Sequence, residues 1–221
     1  MSIFAVVKHK IGWWRKFGSE VKSSVSNPDD LQPILNIGDL VAETSWFDRS
    51  IRRFKQHGRH GLLANLKQPR IPDDMTLRSM PHGSLGHEYY RFIKRNGLDF
   101  YKELDSVESE QVWLKERSRQ FHDLIHVITG NEVAIRNEVL VNAYLFYGLR
   151  LPISTVIYII GSVYLLVKDF NEFKIVVRES KHIRKWSKKH RLLLAEPIES
   201  WLHKPLSQIR DELQLNFVTE L

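Results

Sequence analysis

Residues 121–138 read FHDLIHVITGNEVAIRNE. His122 and His126 are four residues apart, so on a helix they project from one side, one turn apart. That spacing lets two imidazoles bind one metal ion. Asp123 is rotated about 100° around the axis from His122. It is available to ligate, or to orient a histidine from behind. Thr129-Gly130-Asn131 reads as a helix stop and restart. If this turn reverses the chain, the flanking helices form an antiparallel hairpin. His122 then lies roughly 12 Å from the turn, His126 roughly 6 Å, and Glu138 returns to roughly 12 Å on the second helix. The expected set is His122, His126 and Glu138 with Asp123 beside them, leaving open positions for water or substrate on zinc, iron or manganese. The bland alternative is a helix with two polar histidines that hydrogen-bond locally. A zinc protease helix would carry Glu where Asp123 stands, and the shorter carboxylate reaches less far toward a metal-bound water. The adjacent pair His122-Asp123 also occurs in HD-type phosphohydrolases, which need further ligands in another order. His82 and His87 are spare candidates.

Outward from this hairpin, helical patterns continue. N-terminal to it, residues 106–128 read as one helix with Trp113, Leu114, Phe121, Leu124 and Ile125 on its apolar side. Before that, Leu85, Tyr89, Phe92 and Ile93 form a stripe, with Ser84 as N-cap and Asn96-Gly97 as the stop. Residues 57–86 hold Pro69, Pro72 and Pro81 with Gly58, Gly61, Gly83 and Gly86, a long irregular connection of the kind that is often functional. Residues 31–56 suggest one or two helices, with Asn27 or Asp29 as cap candidates. C-terminal to the hairpin, a helix is expected over 132–147. Residues 151–167 (LPISTVIYIIGSVYLLV) carry no charge. They are at the lower edge of a membrane span, and Pro152, Gly161 and the hydroxyl residues favour a buried core helix over a span or a strand. A last amphipathic helix is expected over 205–215.

Charge and composition narrow the function classes. The 221 residues contain 33 Lys and Arg against 26 Asp and Glu, a net +7, with ten His and no Cys. The absence of Cys excludes disulfides, thiolate metal sites and a cysteine nucleophile, so a metal here takes nitrogen and oxygen ligands. Residues 168–204 carry ten Lys or Arg against five acids, densest at His182–Arg191, either a surface for anionic lipid or phosphate or a solvated helix face. Residues 1–19 contain Lys8, Lys10, Arg15 and Lys16 and no acid. Ile3, Phe4, Val7, Ile11 and Trp14 recur at helical spacing, and Trp13 and Phe17 widen that side. The segment reads as a helix packed on the core, a membrane-surface helix or a transit peptide. No P-loop, dinucleotide fingerprint or nucleic-acid motif is present, so nucleic acid is not an expected partner.

The motif H-D-x-x-H, eleven residues, then E (His122, Asp123, His126, Glu138) resembles the signature of the coenzyme Q (ubiquinone) biosynthesis protein four family. Leu77-Arg78-Ser79-Met80-Pro81-His82-Gly83-Ser84-Leu85-Gly86 is similar to that family's L-x-x-L-P-x-G-T-L-G, followed by Tyr89, Phe92 and Asn96-Gly97-Leu98. Pro69-Arg70 and Lys204-Pro205-Leu206 through Leu213 also resemble it. Met80, Ser84 and Asn137 depart from the common Leu, Thr and Gly. The resemblance implies an all-α fold. Here that is a single domain of packed helices over 27–221, with the long connection before the metal-site helices and a basic amphipathic segment, 1–26, ahead of it. It implies a divalent metal on His122, Asp123, His126 and Glu138, which are also the expected catalytic residues. Zinc is the ion implied first, with Mg, Fe or Mn as others. It implies oxidative decarboxylation of a prenylated quinone precursor, carboxyl to hydroxyl, or a non-catalytic role as prenyl-lipid carrier and scaffold. The implied partners are an isoprenoid lipid, an anionic membrane surface, quinone biosynthetic enzymes and a second copy of the chain. The implied location is peripheral, on the cytoplasmic face in a bacterium or the matrix side of the mitochondrial inner membrane in a eukaryote. The nearly uncharged stretch 139–167 is a candidate lining for the isoprenoid tail, whose burial contributes about 0.8 kcal/mol per CH₂.

Overall fold

Local chemistry sets most of the helix boundaries. The computed structural model describes residues 3–27, 30, 32–42, 44–56, 71–100, 107–190 and 193–215, without the side chains of 3–11, 42 and 190. The elements are α1 (Ile3–Ser26), α2 (Gln32–Ala42), α3 (Ser45–Gln56), α4 (Asp74–Ser79), α5 (Leu85–Arg95), α6 (Glu110–Gln120), α7 (His122–Thr129), α8 (Ile135–Leu149), α9 (Pro152–Lys168), α10 (Phe170–His190) and α11 (Leu206–Glu212). Short 3₁₀ turns at Leu193–Ala195 and Ile198–Trp201 precede α11. The fold is all-α: among the described residues the only β-type pairing is an isolated antiparallel bridge between Ser84 and Pro205. Ser84 caps α5 as expected, its hydroxyl accepting from the His87 amide at 3.3 Å. Asp73 and Ser109 do the same for α4 and α6, and Asn96 ends α5. Asp30, rather than Asn27, meets the start of α2, its carboxylate accepting from the Gln32 amide at 3.0 Å. Asp29 lies outside the described residues, as do 57–70 of the long connection. The described remainder of that connection contains α4.

Two expected helices differ from the structure in instructive ways. The stretch 106–128 is split: Phe121, at φ −95° and ψ −1°, stands between α6 and α7. Neither Gly nor Pro marks the break. The segment 151–167 does form one helix, α9, but it is not enclosed on all sides. Its start is buried through Pro152, Ser154, Thr155 and Val156, whereas Ile159, Val163, Leu166 and Val167 are exposed. No helix among the described residues is long and apolar enough to cross a membrane.

The core is organised around α8, which packs along α9 on one side and α10 on the other. Residues 139–145 of α8 are buried without interruption, as a helix flanked by protein on most sides requires. The main core joins α8 to α3, α5, α6 and α7 through Phe47, Phe54, Tyr89, Trp113, Phe121 and Leu124. A second, smaller cluster holds the N-terminal hairpin down: Trp13, Phe17 and Val21 of α1 pack on Ile37, Val41 and Val156. The indole of Trp13 donates to the Leu40 carbonyl at 3.2 Å, whereas Trp14, a neighbour in the expected stripe, is 64% exposed.

Residues 77–86, the run similar to L-x-x-L-P-x-G-T-L-G, join the start of α5 to the C-terminal region. The Leu85 and Gly86 amides donate to the carbonyls of Lys204 and Leu202 at 2.9 and 2.8 Å, and the Leu206 amide donates to Gly83 at 2.8 Å. A β-carbon on Gly86 would lie 3.2 Å from the Leu202 carbonyl oxygen and would overlap the Met80 sulfur. The motif is therefore a docking device for two backbones.

Candidate metal centre

The site is built by the turn between α7 and α8. Gly130 takes the left-handed conformation, φ 73°. The Gly130 amide donates to Val127 at 3.3 Å and the Asn131 amide to His126 at 3.0 Å, a Schellman ending. Arg210 of α11 donates to two carbonyls at this end of the helix, with Nε on Ile128 and Nη2 on Val127, both at 2.9 Å. The chain then reverses, and Glu138 falls in the first turn of α8, where the helix dipole favours a carboxylate.

His122, His126 and Glu138 converge, each offering a ligand atom within 4.8 Å of the others. His122 Nε2 is 3.0 Å from Glu138 Oε2, His126 Nε2 is 3.1 Å from Glu138 Oε1, and the two Nε2 atoms are 3.2 Å apart. His126 is buried, its ring stacked on Phe92 of α5 with centroids 5.6 Å apart. Its Nδ1–H donates to the Asn131 carbonyl at 3.1 Å. In the neutral ring this leaves Nε2 as a lone pair aimed at the cluster.

These contacts test the fit to a metal. Two imidazole Nε2 atoms and a carboxylate face one another at hydrogen-bond distance. A cation satisfies all three at once. Zinc bonds of about 2.0 Å in a tetrahedron separate ligand atoms by about 3.3 Å, close to the separations seen. The cluster is also electrostatically poised. Burial penalises a charged His122, but the hydrogen bond and charge of Glu138 outweigh it and hold the His122 pKa above the usual imidazole value. Burial alone would raise Glu138; its bonds to His122 and His126 hold it well below the usual carboxylate range.

Asp123 lines the same groove but contributes no oxygen to the three-atom cluster. Burial, the largest influence, pushes its carboxyl pKa up. His82 and His87 face each other with ring centroids 4.2 Å apart and join no ligand cluster among the described residues. The Asn131 carbonyl was not foreseeable: it is a backbone group, so residue type carries no signal for it. Phe92 was read only as a core residue.

The cluster opens into a groove of about 680 Å³. Its walls come from α1, α2, α6, α8 and α9, with Leu35, Ile37, Val139, Ile153, Ile157 and Ile160 among the apolar lining. Most of the exposed lining is apolar.

Comparison with known proteins places this all-α chain in a family. Residues 12–218 match the model of the family described as coenzyme Q (ubiquinone) biosynthesis protein Coq4. The chain belongs to this family. It is 26% identical over 207 residues to the Caenorhabditis elegans ubiquinone biosynthesis protein coq-4, mitochondrial, covering 90% of this chain and 87% of that one. It is 28% identical over 153 residues to the COQ4 protein of Eremothecium gossypii, covering 64% of this chain but 47% of the relative, so the match spans about half of that fungal protein. The crystal structure of a Nostoc punctiforme protein described as a candidate ubiquinone biosynthesis protein superposes with a TM-score of 0.79 at 22% identity, over 92% of this chain and 97% of the other. That likeness supports the fold.

Proposed function

We propose that this chain binds a prenylated ring precursor of a quinone, with the isoprenoid tail along the groove and the ring at the His122–His126–Glu138 centre, and oxidatively decarboxylates the ring. The carboxyl leaves as carbon dioxide and a hydroxyl takes its place, a two-electron oxidation that draws on an external oxidant such as dioxygen. The observation that carries the reading is the joining of a three-ligand cluster to an apolar groove. A small polar substrate would not need such walls.

His122, His126 and Glu138 would hold the ion. A bound divalent metal supplies Lewis-acid polarisation of a phenol or carboxylate and, if redox-active, access to oxygen chemistry. The remaining work falls to the protein. Glu138 and the fixed tautomer of His126 keep two ligand atoms aimed at one point. Asp123, half-buried and raised by burial, orients the head group. The apolar lining from α8 and α9 excludes water and positions the ring through its tail.

The proposed partner surface is anionic lipid. Ile159, Val163 and Leu166 recur at steps of four and three on α9 and are exposed, as is Phe170 at the start of α10. Lys168 and Lys174 are exposed beside them. Such a face suits a lipid headgroup layer, where each Lys or Arg near the surface contributes about 1 kcal/mol.

Turnover of a carboxylated prenylphenol by the metal-loaded protein tests the function. Loss of turnover in His126→Ala with the helical circular dichroism intact supports it. Lipid binding without turnover under any metal or oxygen supply would overturn the enzyme and leave a prenyl-lipid carrier that docks other biosynthetic enzymes.

A further inference from the structure

One wall of the groove carries cations that the metal centre leaves unused. Lys115 and Arg119 project from α6 into the groove ahead of His122. Lys115 and Arg119 are four residues apart on α6 and share one face, and His122, just past the break at Phe121, lines the same groove. Both cations converge on one acid, Asp39 of α2. Lys115 Nζ is 2.5 Å and Arg119 Nη2 3.7 Å from Asp39 Oδ1. Asp39 itself is exposed, its side chain 59% accessible. Arg119 also reaches Glu116 at 3.4 Å. Glu116 is buried, and burial pushes its carboxyl pKa up, which weakens it as a counter-ion. Two cations thus share one exposed carboxylate on the wall of a groove whose lining is mostly apolar.

We infer that Lys115 and Arg119 are a specificity-determining pair that binds a carboxylate carried on an apolar tail, and that Asp39 is a built-in competitor for the same position. The inference rests on the reading of the groove as a lipid site. A guanidinium accepts a carboxylate in a charge-assisted, often bidentate, arrangement. The exposed bridge to Asp39 contributes little, so its exchange for a ligand carboxylate costs little. The apolar wall opposite selects the carboxylate of an amphiphile over a small anion, because only the amphiphile also buries a chain.

The test uses the full chain, both zinc-loaded and stripped with chelator, so that metal and cation contributions separate. The probes are cis-parinaric acid, a fluorescent long-chain carboxylate, and its methyl ester. Wild type is expected to prefer the acid about tenfold with or without zinc. Lys115→Met/Arg119→Met is expected to remove that preference while leaving ester affinity unchanged. Asp39→Asn, a change at an exposed position, is expected to strengthen acid binding severalfold and leave the ester alone. Equal acid and ester affinity in stripped wild type overturns the inference, as does an unchanged preference in the double variant or in Asp39→Asn. Failure of both probes to bind overturns the groove reading beneath it.

Discussion

The two ring nitrogens of His126 have different partners, and the site depends on that division. Nδ1 is committed to the Asn131 carbonyl and Nε2 to the cluster. His126→Ala should lower zinc affinity by at least about 100-fold, since even lesser changes behind a ligand cost 10- to 100-fold; elemental analysis after dialysis reads the loss. The pH behaviour follows from His122 and Glu138. The pKa of His122 is raised in the folded chain, so its contribution to metal-free stability is full below the ordinary imidazole value and is lost as pH rises through the raised one. That of Glu138 is lowered, so its contribution is full above the ordinary carboxylate value and is lost as pH falls through the lowered one. Stability of the chelator-treated protein from this pair should therefore peak between about pH 4.3 and 6.5, and thermal melts across pH check it. Zinc binding should weaken as pH falls, because the ion displaces the His122 proton. Titration calorimetry in buffers of different ionisation enthalpy should detect proton release.

At the scale of elements, the α7–α8 turn and its supports decide whether the ligands meet. Gly130→Ala places a β-carbon at φ 73° and should cost about 1–2 kcal/mol, seen as a lower thermal midpoint. Arg210→Met strips two charge-assisted bonds from the end of α7 and should cost about 2–3 kcal/mol; a matched chemical denaturation series measures it. Much of this level was readable from sequence. Two histidines a turn apart, a Gly-containing stop and a glutamate eight residues on are local facts, and helix rise converts them into a meeting point. The Ser84 cap and the Asn96-Gly97 stop were readable for the same reason. The break at Phe121 was not, because residue 121 stays near helical backbone angles and no residue type marks the division. Nor was the clamp of Arg210 on α7, since those partners are 82 and 83 positions apart.

At the scale of the molecule, faces are assigned by partners that lie far off in sequence. Trp13 and Trp14 are adjacent and chemically equal, yet α2 covers one and leaves the other exposed. The uncharged run in α9 gave no sign of which side would stay uncovered. Its exposed stripe and the exposed start of α10 yield a prediction: Val163→Glu with Phe170→Glu should weaken co-sedimentation with anionic phospholipid vesicles while leaving zinc binding intact. Removing residues 1–19 should also weaken vesicle binding if α1 shares the surface; unchanged binding would assign the surface to α9 and α10 alone.

The pairing of residues 83–86 with 202–206, together with the reach of Arg210 to α7, has a temporal consequence. A protein is made from its N-terminus onward and folds as it emerges. The histidine-bearing helix is synthesised about eighty residues before the guanidinium that seals its end. The site therefore lacks its last support until Arg210 has emerged, about eighty residues after the histidines, and a chain held before that point carries both histidines and the glutamate without the brace that steadies them.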